Sequence, residues 1–155
     1  MIRPAIELIV QPNLLKAKTG GGGGIDIATA LRRAESALED IRDSFAGWAA
    51  EDVTNLASAY AAFAVAPGAK SHAALGRTAI DLKGQAATFG YPLIARVAAS
   101  LARLLDESIA PPSTLVEAHV SAVLAIHRDG ETGTPLAEAL AQELEDRVAE
   151  TLEPF

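Results

Sequence analysis

The residues of this chain that are best placed to do chemistry lie around position 80. Arg77 and Lys83 stand three residues before and after Ile80. A helix advances about 100° per residue, so each cation lies about 60° around the helix from Ile80. Gly76 and Gly84 lie one turn before and one turn after it. A glycine inside a helix costs about 1 kcal/mol relative to alanine. The pattern therefore predicts a surface that another molecule approaches closely. The two cations suit a molecule that carries acidic groups.

The same predicted helix carries a second face that is apolar. Its residues follow each other at spacings of four, three, four and three, which is typical of a buried seam. They are Leu75, Ala79, Leu82, Ala86 and Phe89. Ile80 points about 160° away from Leu82. We therefore expect the Ile80 side chain to face solvent.

These residues resemble the signature of histidine-containing phosphotransfer (Hpt) domains, which is His-x-Leu-Lys-Gly with a further glycine at the end of the helix. Leu82, Lys83, Gly84 and Gly90 match this pattern. The run 83–94 is similar to that of small alphaproteobacterial Hpt proteins, and the resemblance covers most of the chain. It implies a cytoplasmic role in two-component phosphorelay signalling, with a response-regulator receiver domain or a histidine kinase as partner.

One position departs from the family pattern, because Ile80 stands where the family carries its phosphorylated histidine. Isoleucine has no lone pair with which to attack phosphorus. The resemblance therefore implies an Hpt-like protein that binds its partner without accepting phosphate there, and that is not an enzyme. The residues expected to contact the partner are Gly76, Arg77, Ile80, Asp81, Lys83, Gly84, Gln85 and Ala87.

Two other functions remain open. The strip around Ile80 is equally suited to self-association, which would make the chain a homodimeric structural module. Alternatively, His72 replaces the missing phosphoacceptor and makes the protein an active phosphocarrier, although we expect an exposed histidine at the start of a helix. His119 and His127 are eight residues apart and do not converge on one metal ion. We expect both at the edge of an apolar seam, and we predict no metal and no cofactor.

Other catalytic groupings are weak. Ser100, Ser108 and Ser121 have no histidine at a helical spacing that would form a nucleophile pair. The carboxylates of Glu143, Glu145 and Asp146 are interpreted as solvated.

Composition excludes several functional classes. The chain has no cysteine, which excludes disulfides and thiol catalysis. A net charge of −7 argues against nucleic acid or an anionic membrane as the main partner. The chain contains no run of 18 successive apolar residues, so we expect no transmembrane helix.

The elements that position the strip are predicted to be helices. Residues 1–24 are interpreted as an N-terminal arm that ends in a run of five glycines. This run is typical of a flexible linker, since no Gly-Lys-Ser/Thr follows it as in a phosphate-binding loop. Residues 25–155 are predicted to form one all-α domain, an antiparallel four-helix bundle with an extra N-terminal helical or extended segment.

Helix boundaries follow from local signals. A seam at spacings of four and three runs from Ile27 to Trp48 and then slips by one residue, which we interpret as a bend or break between two helices. The helix that carries Ile80 is expected over about 71–89, with Gly90 as its C-cap. Ser113 is expected to cap a later helix, and Thr134 with the proline after it is expected to open the last one.

Overall fold

The computed structural model of the chain describes residues 26–130 and 133–153. The arm predicted over 1–24 lies outside them. The described ranges form five α-helices and contain no strand, which confirms the all-α prediction. The helices are α1 Ile27–Val65, α2 Ala69–Phe89, α3 Pro92–Glu107, α4 Ser113–Arg128 and α5 Pro135–Leu152. The chain divides into two compact units, Met1–Asp40 and Ile41–Phe155.

Helix α1 is continuous, so the break that was one of the two predicted possibilities near Ala49 is wrong. The apolar positions between residues 27 and 63 advance in ten steps that average 3.6 residues, which is the period of a straight α-helix. The one-residue slip therefore restores the average spacing of an α-helix. These positions are Ile27, Leu31, Ala34, Leu38, Ile41, Phe45, Trp48, Val53, Leu56, Tyr60 and Phe63.

The first part of this stripe is exposed, although its spacing is that of a buried seam. In the first unit, Ile27, Leu31 and Leu38 are 85%, 58% and 56% exposed. In the second unit, Ile41 is 46% and Trp48 is 50% exposed. Periodicity shows which face of a helix is apolar, but not whether another element covers it.

Helix α3 is central to the second unit. It packs against α2, α4 and α5, and α4 also packs against α5. The predicted apolar positions of α3 are all at most 1% exposed, namely Ile94, Val97, Leu101 and Leu104. The C-terminal half of α1 adds Val53, Leu56 and Phe63 to the same core. The side of α2 that faces this core therefore determines which side remains for a partner.

A tight turn joins α2 to α3 as predicted. Gly90 adopts the left-handed conformation with φ of 84°, and its backbone N–H donates to the carbonyl of Ala86. Pro92 begins α3. Thr134 caps α5, and its hydroxyl oxygen accepts a hydrogen bond from the backbone N–H of Ala137 at 3.2 Å.

The predicted cap of α4 is wrong by one residue. Ser113 is the first residue of that helix, Pro112 occupies the cap position, and no side chain caps the helix there.

An ionic cluster also joins α3 to α5. Arg96 donates to both carboxylate oxygens of Glu145, at 3.0 Å and 2.7 Å, and to Glu138 at 2.8 Å. Glu145 is half-buried, so the interpretation of this carboxylate as solvated is wrong. Its partner lies 49 residues away in sequence, beyond the reach of helical spacing.

Candidate functional site

Helix α2 presents opposite faces to the core and to solvent. Its core-facing residues Leu75, Ala79, Leu82 and Ala86 are at most 3% exposed. Ile80, one residue after Ala79, is 57% exposed. The predicted orientation of the Ile80 side chain is therefore confirmed. We call the eight residues predicted to contact a partner the α2 outer face.

Most of the α2 outer face is open. Its exposed members are Arg77, Ile80, Asp81, Lys83, Gly84 and Ala87. Gly76 and Gln85 are half-buried. A Cβ atom added at Gly76 would lie 4.0 Å from the Cβ of Leu105 on α3, whereas one added at Gly84 would meet nothing within 4 Å. Gly84 therefore leaves open space beside Ile80.

A shallow groove lies beside Ile80 between α2 and α3. Its volume is about 360 Å³. Arg77 and His72 line it from α2, and Leu105 and Asp106 line it from α3. The exposed Ile80 side chain next to this groove can interlock with a side chain of a docked protein. Ile80 itself cannot act as a nucleophile.

The charges of this face are separated. Among residues 26–130 and 133–153, no carboxylate lies within ion-pair distance of Arg77 or Lys83. Asp81, next to Ile80, lies near Asp52 of α1. Burial, with the negative charges of Glu51 and Asp81, raises the pKa of Asp52 above its ordinary value of 3.8. The cations are thus available to an acidic partner.

His72 is half-buried, so the prediction of an exposed histidine at this position is wrong. Its ring lies 6.2 Å from that of Phe63. Its Nε2 atom is buried without a hydrogen-bond partner among the described residues. The Nε2 atom of His72 is therefore not exposed to a phosphoryl donor in this structure.

The sequence does not reveal one polar pair in the second unit. His119 of α4 is fully buried, which contradicts its predicted place at a seam edge, and His127 is half-buried. The Nδ1 atom of His119 lies 2.7 Å from the carbonyl oxygen of Leu115, and Nε2 lies 3.0 Å from the hydroxyl of Ser100 on α3. A carbonyl only accepts, so Nδ1 carries the proton and Nε2 accepts from Ser100.

This Ser–His pair stabilises the fold and is closed to substrate. Burial lowers the pKa of His119 below its ordinary value of 6.5 and keeps the ring neutral. The exposed fraction is 0% for His119 and 8% for Ser100. One feature of the sequence does predict the burial of His119. It lies three residues after Val116 and four before Val123, which is the spacing of an apolar helix face. Its partner lies on another helix and has no signature in local spacing.

Within the described parts of the chain, no three metal-ligating side chains cluster in a way that would hold a metal ion. None of the helices described is long and apolar enough to span a membrane. No protein-family model, curated protein or solved structure matches the chain. Its own geometry is therefore the basis for a functional proposal.

Proposed function

We propose that the protein is an Hpt-like docking protein of cytoplasmic two-component signalling. In this proposal it binds the receiver domain of a response regulator, or a histidine kinase, through the α2 outer face and accepts no phosphate. Helices α2–α5 would then form the antiparallel four-helix bundle of the Hpt fold. The solvent-exposed side chain of Ile80, at the family's histidine position, is the observation that carries this proposal.

The first supporting step is steric. Ile80 projects from α2 where the family presents an imidazole, and the open backbone at Gly84 lets a partner come close. An isoleucine fills a similar space but forms no bond to phosphorus. Docking thus becomes separated from phosphoryl transfer, and the protein would occupy a receiver domain or compete with an active phosphotransfer protein.

The second supporting step is electrostatic. Receiver domains carry an acidic pocket, as the resemblance implies, and the side chains of Arg77 and Lys83 are exposed on either side of Ile80. The chain as a whole carries a net charge of −7. Attraction to an acidic partner must therefore come from this local pair of cations, which also sets the orientation of docking.

Calorimetric titration against the receiver domains of the same genome tests the proposal. We expect one of them to bind, and Lys83→Gln to weaken binding about tenfold, which corresponds to ~1.4 kcal/mol. Arg147→Gln is the matched control, because it removes an exposed cation from α5 and leaves the α2 outer face intact. The absence of binding by every receiver domain and kinase, or equal effects of the two substitutions, would contradict docking through this face.

A gain-of-function substitution tests the role of position 80. Ile80→His supplies the missing lone pair, so we expect the variant to acquire acid-labile phosphate from a phosphorylated receiver domain while the unchanged protein acquires none. His72→Ala, made in both backgrounds, is the control and should alter neither result. Phosphate on the unchanged protein that disappears with His72→Ala would instead establish the phosphocarrier alternative.

A further inference from the structure

A cavity in the second unit lies outside the proposed docking face. It is lined by the end of α1, the turn into α2, the loop between α3 and α4, and the first turns of α2 and α4. Its volume is about 640 Å³. Sites for small molecules typically have volumes of about 300–1,000 Å³. The cavity is therefore large enough for a ligand with one aromatic ring.

Most of the cavity wall is apolar. Tyr60, Phe63 and Ala64 follow each other at spacings of three and one, so they share one face of α1 and all line the cavity. The loop between α3 and α4 contributes Ile109 and Pro111. Ile109 is 98% exposed, and contact with the apolar part of a ligand would remove this surface from water. The wall thus suits an apolar ligand body.

Glu117 gives the cavity a negative charge. It lies one helical turn after Ser113 on the same face of α4, and both residues line the cavity. No lysine or arginine is among the described residues that line it. Glu117 is exposed and forms no ion pair with another described residue. Its carboxylate is therefore available to attract a cation and would repel an anion.

We propose that this cavity binds a small organic amine, with its apolar body against the wall and its ammonium group beside Glu117. A carboxylate ligand would be repelled, and a neutral apolar ligand would gain nothing from the charge of Glu117. The net charge of −7 on the chain also favours a cation. This inference goes beyond the proposed function, because the cavity shares no residue with the α2 outer face.

Three probes that share a phenyl ring separate charge from apolar contact. They are phenethylamine, phenethyl alcohol and phenylacetate, and calorimetric titration into the full chain measures the affinity of each. We expect the amine to bind most tightly and the alcohol about fivefold more weakly, which is the scale of one exposed ion pair. The anion should bind most weakly. No binding of the amine, or binding of the alcohol or the anion at least as tight, would overturn the proposal.

Substitution of Glu117 tests the assignment of the charge. Glu117→Gln should lower the affinity for phenethylamine about fivefold and leave that for phenethyl alcohol unchanged. Glu153→Gln is the matched control, because it removes an exposed carboxylate that does not line the cavity. High salt should reduce the preference for the amine in the unchanged chain. Equal effects of the two substitutions would show that Glu117 does not hold the ammonium group.

A larger side chain in the wall tests the location of the site. Ala64 is exposed and lines the cavity, so Ala64→Phe should occupy ligand space and abolish binding of both the amine and the alcohol. Ala62→Phe is the control, since Ala62 is also exposed but lies about 160° around α1 from Ala64. Undiminished binding of phenethylamine by Ala64→Phe would place the amine elsewhere and refute the proposal. Receiver-domain binding is measured on the α2 outer face, so its failure and the failure of amine binding are distinguishable.

Discussion

At the scale of single residues, the fold buries a histidine and exposes an isoleucine. Ile80 faces solvent, while His119 is fully buried, and this burial keeps its ring neutral. The residue with the greater chemical capacity is thus the one that the fold closes to partners. From residue type alone, one would expect the histidine to be exposed and the isoleucine to be buried.

The buried ring makes stability depend on pH. The pKa of His119 is lowered in the folded state, so the neutral ring stabilises the fold fully above pH 6.5, its ordinary value. This contribution is lost as pH falls below 6.5 toward the lowered folded pKa, since only the unfolded chain gains the proton. We expect the free energy of unfolding in urea to fall over this range. His119→Gln should remove this part of the decline, while the matched control His127→Gln should keep it.

Removing the Ser100 hydroxyl, which donates to His119, should lower the free energy of unfolding. Ser100→Ala leaves the Nε2 atom of His119 buried without a hydrogen bond, so we expect a loss of about 1–2 kcal/mol in the free energy of unfolding. Ser121→Ala removes an exposed hydroxyl from α4 and serves as the control. Equal stability of the two variants would show that the Ser100 hydrogen bond does not stabilise the fold.

At the scale of elements, α2 contains two glycines with opposite roles. Gly84 lies inside the helix with open space around its Cα, whereas Gly90 ends the helix with φ of 84°. An alanine is favoured at the first position by helix propensity and strained at the second by its Cβ atom. The packing of the described residues therefore does not require a glycine at position 84.

The two alanine substitutions should have opposite signs. We expect Gly84→Ala to raise the free energy of unfolding by about 0.5–1 kcal/mol, and Gly90→Ala to lower it by about 1 kcal/mol. Urea denaturation measures both. Gly84→Ala should also weaken receiver-domain binding although the protein is more stable. Unchanged binding would show that no partner approaches this turn closely.

At the scale of the whole molecule, contacts between distant segments hold the second unit together. The Arg96 cluster joins α3 to α5, and both carboxylate oxygens of Glu145 accept from it. We expect Arg96→Ala to lower the free energy of unfolding by about 1 kcal/mol or more, since a paired, half-buried Glu145 loses its partner. Arg103→Ala, which breaks an exposed pair with Glu107 within α3, should cost less.

Urea denaturation at low and high salt separates these two contributions. The loss from Arg96→Ala should persist at high salt more than that from Arg103→Ala, because partly buried pairs are screened less. If Arg96→Ala and Arg103→Ala lower the free energy of unfolding by equal amounts at each salt concentration, the interhelical cluster adds nothing beyond an ordinary surface pair.

The sequence by itself determined the features that depend on neighbours a few residues apart. These include the all-α class, the two faces of α2, the outward Ile80 and the turn at Gly90. Helical periodicity and backbone conformation are local properties, so spacing and residue type predict them.

The tertiary structure alone decided what depends on residues far apart in sequence. Examples are the partner of His119 on α3 and the half-burial of Glu145 by Arg96. The exposure of Leu31 and Leu38 on α1 belongs to the same class, since periodicity predicts an apolar face but not the element that covers it. Side chains brought together by packing of different helices leave no pattern in the spacing of either helix.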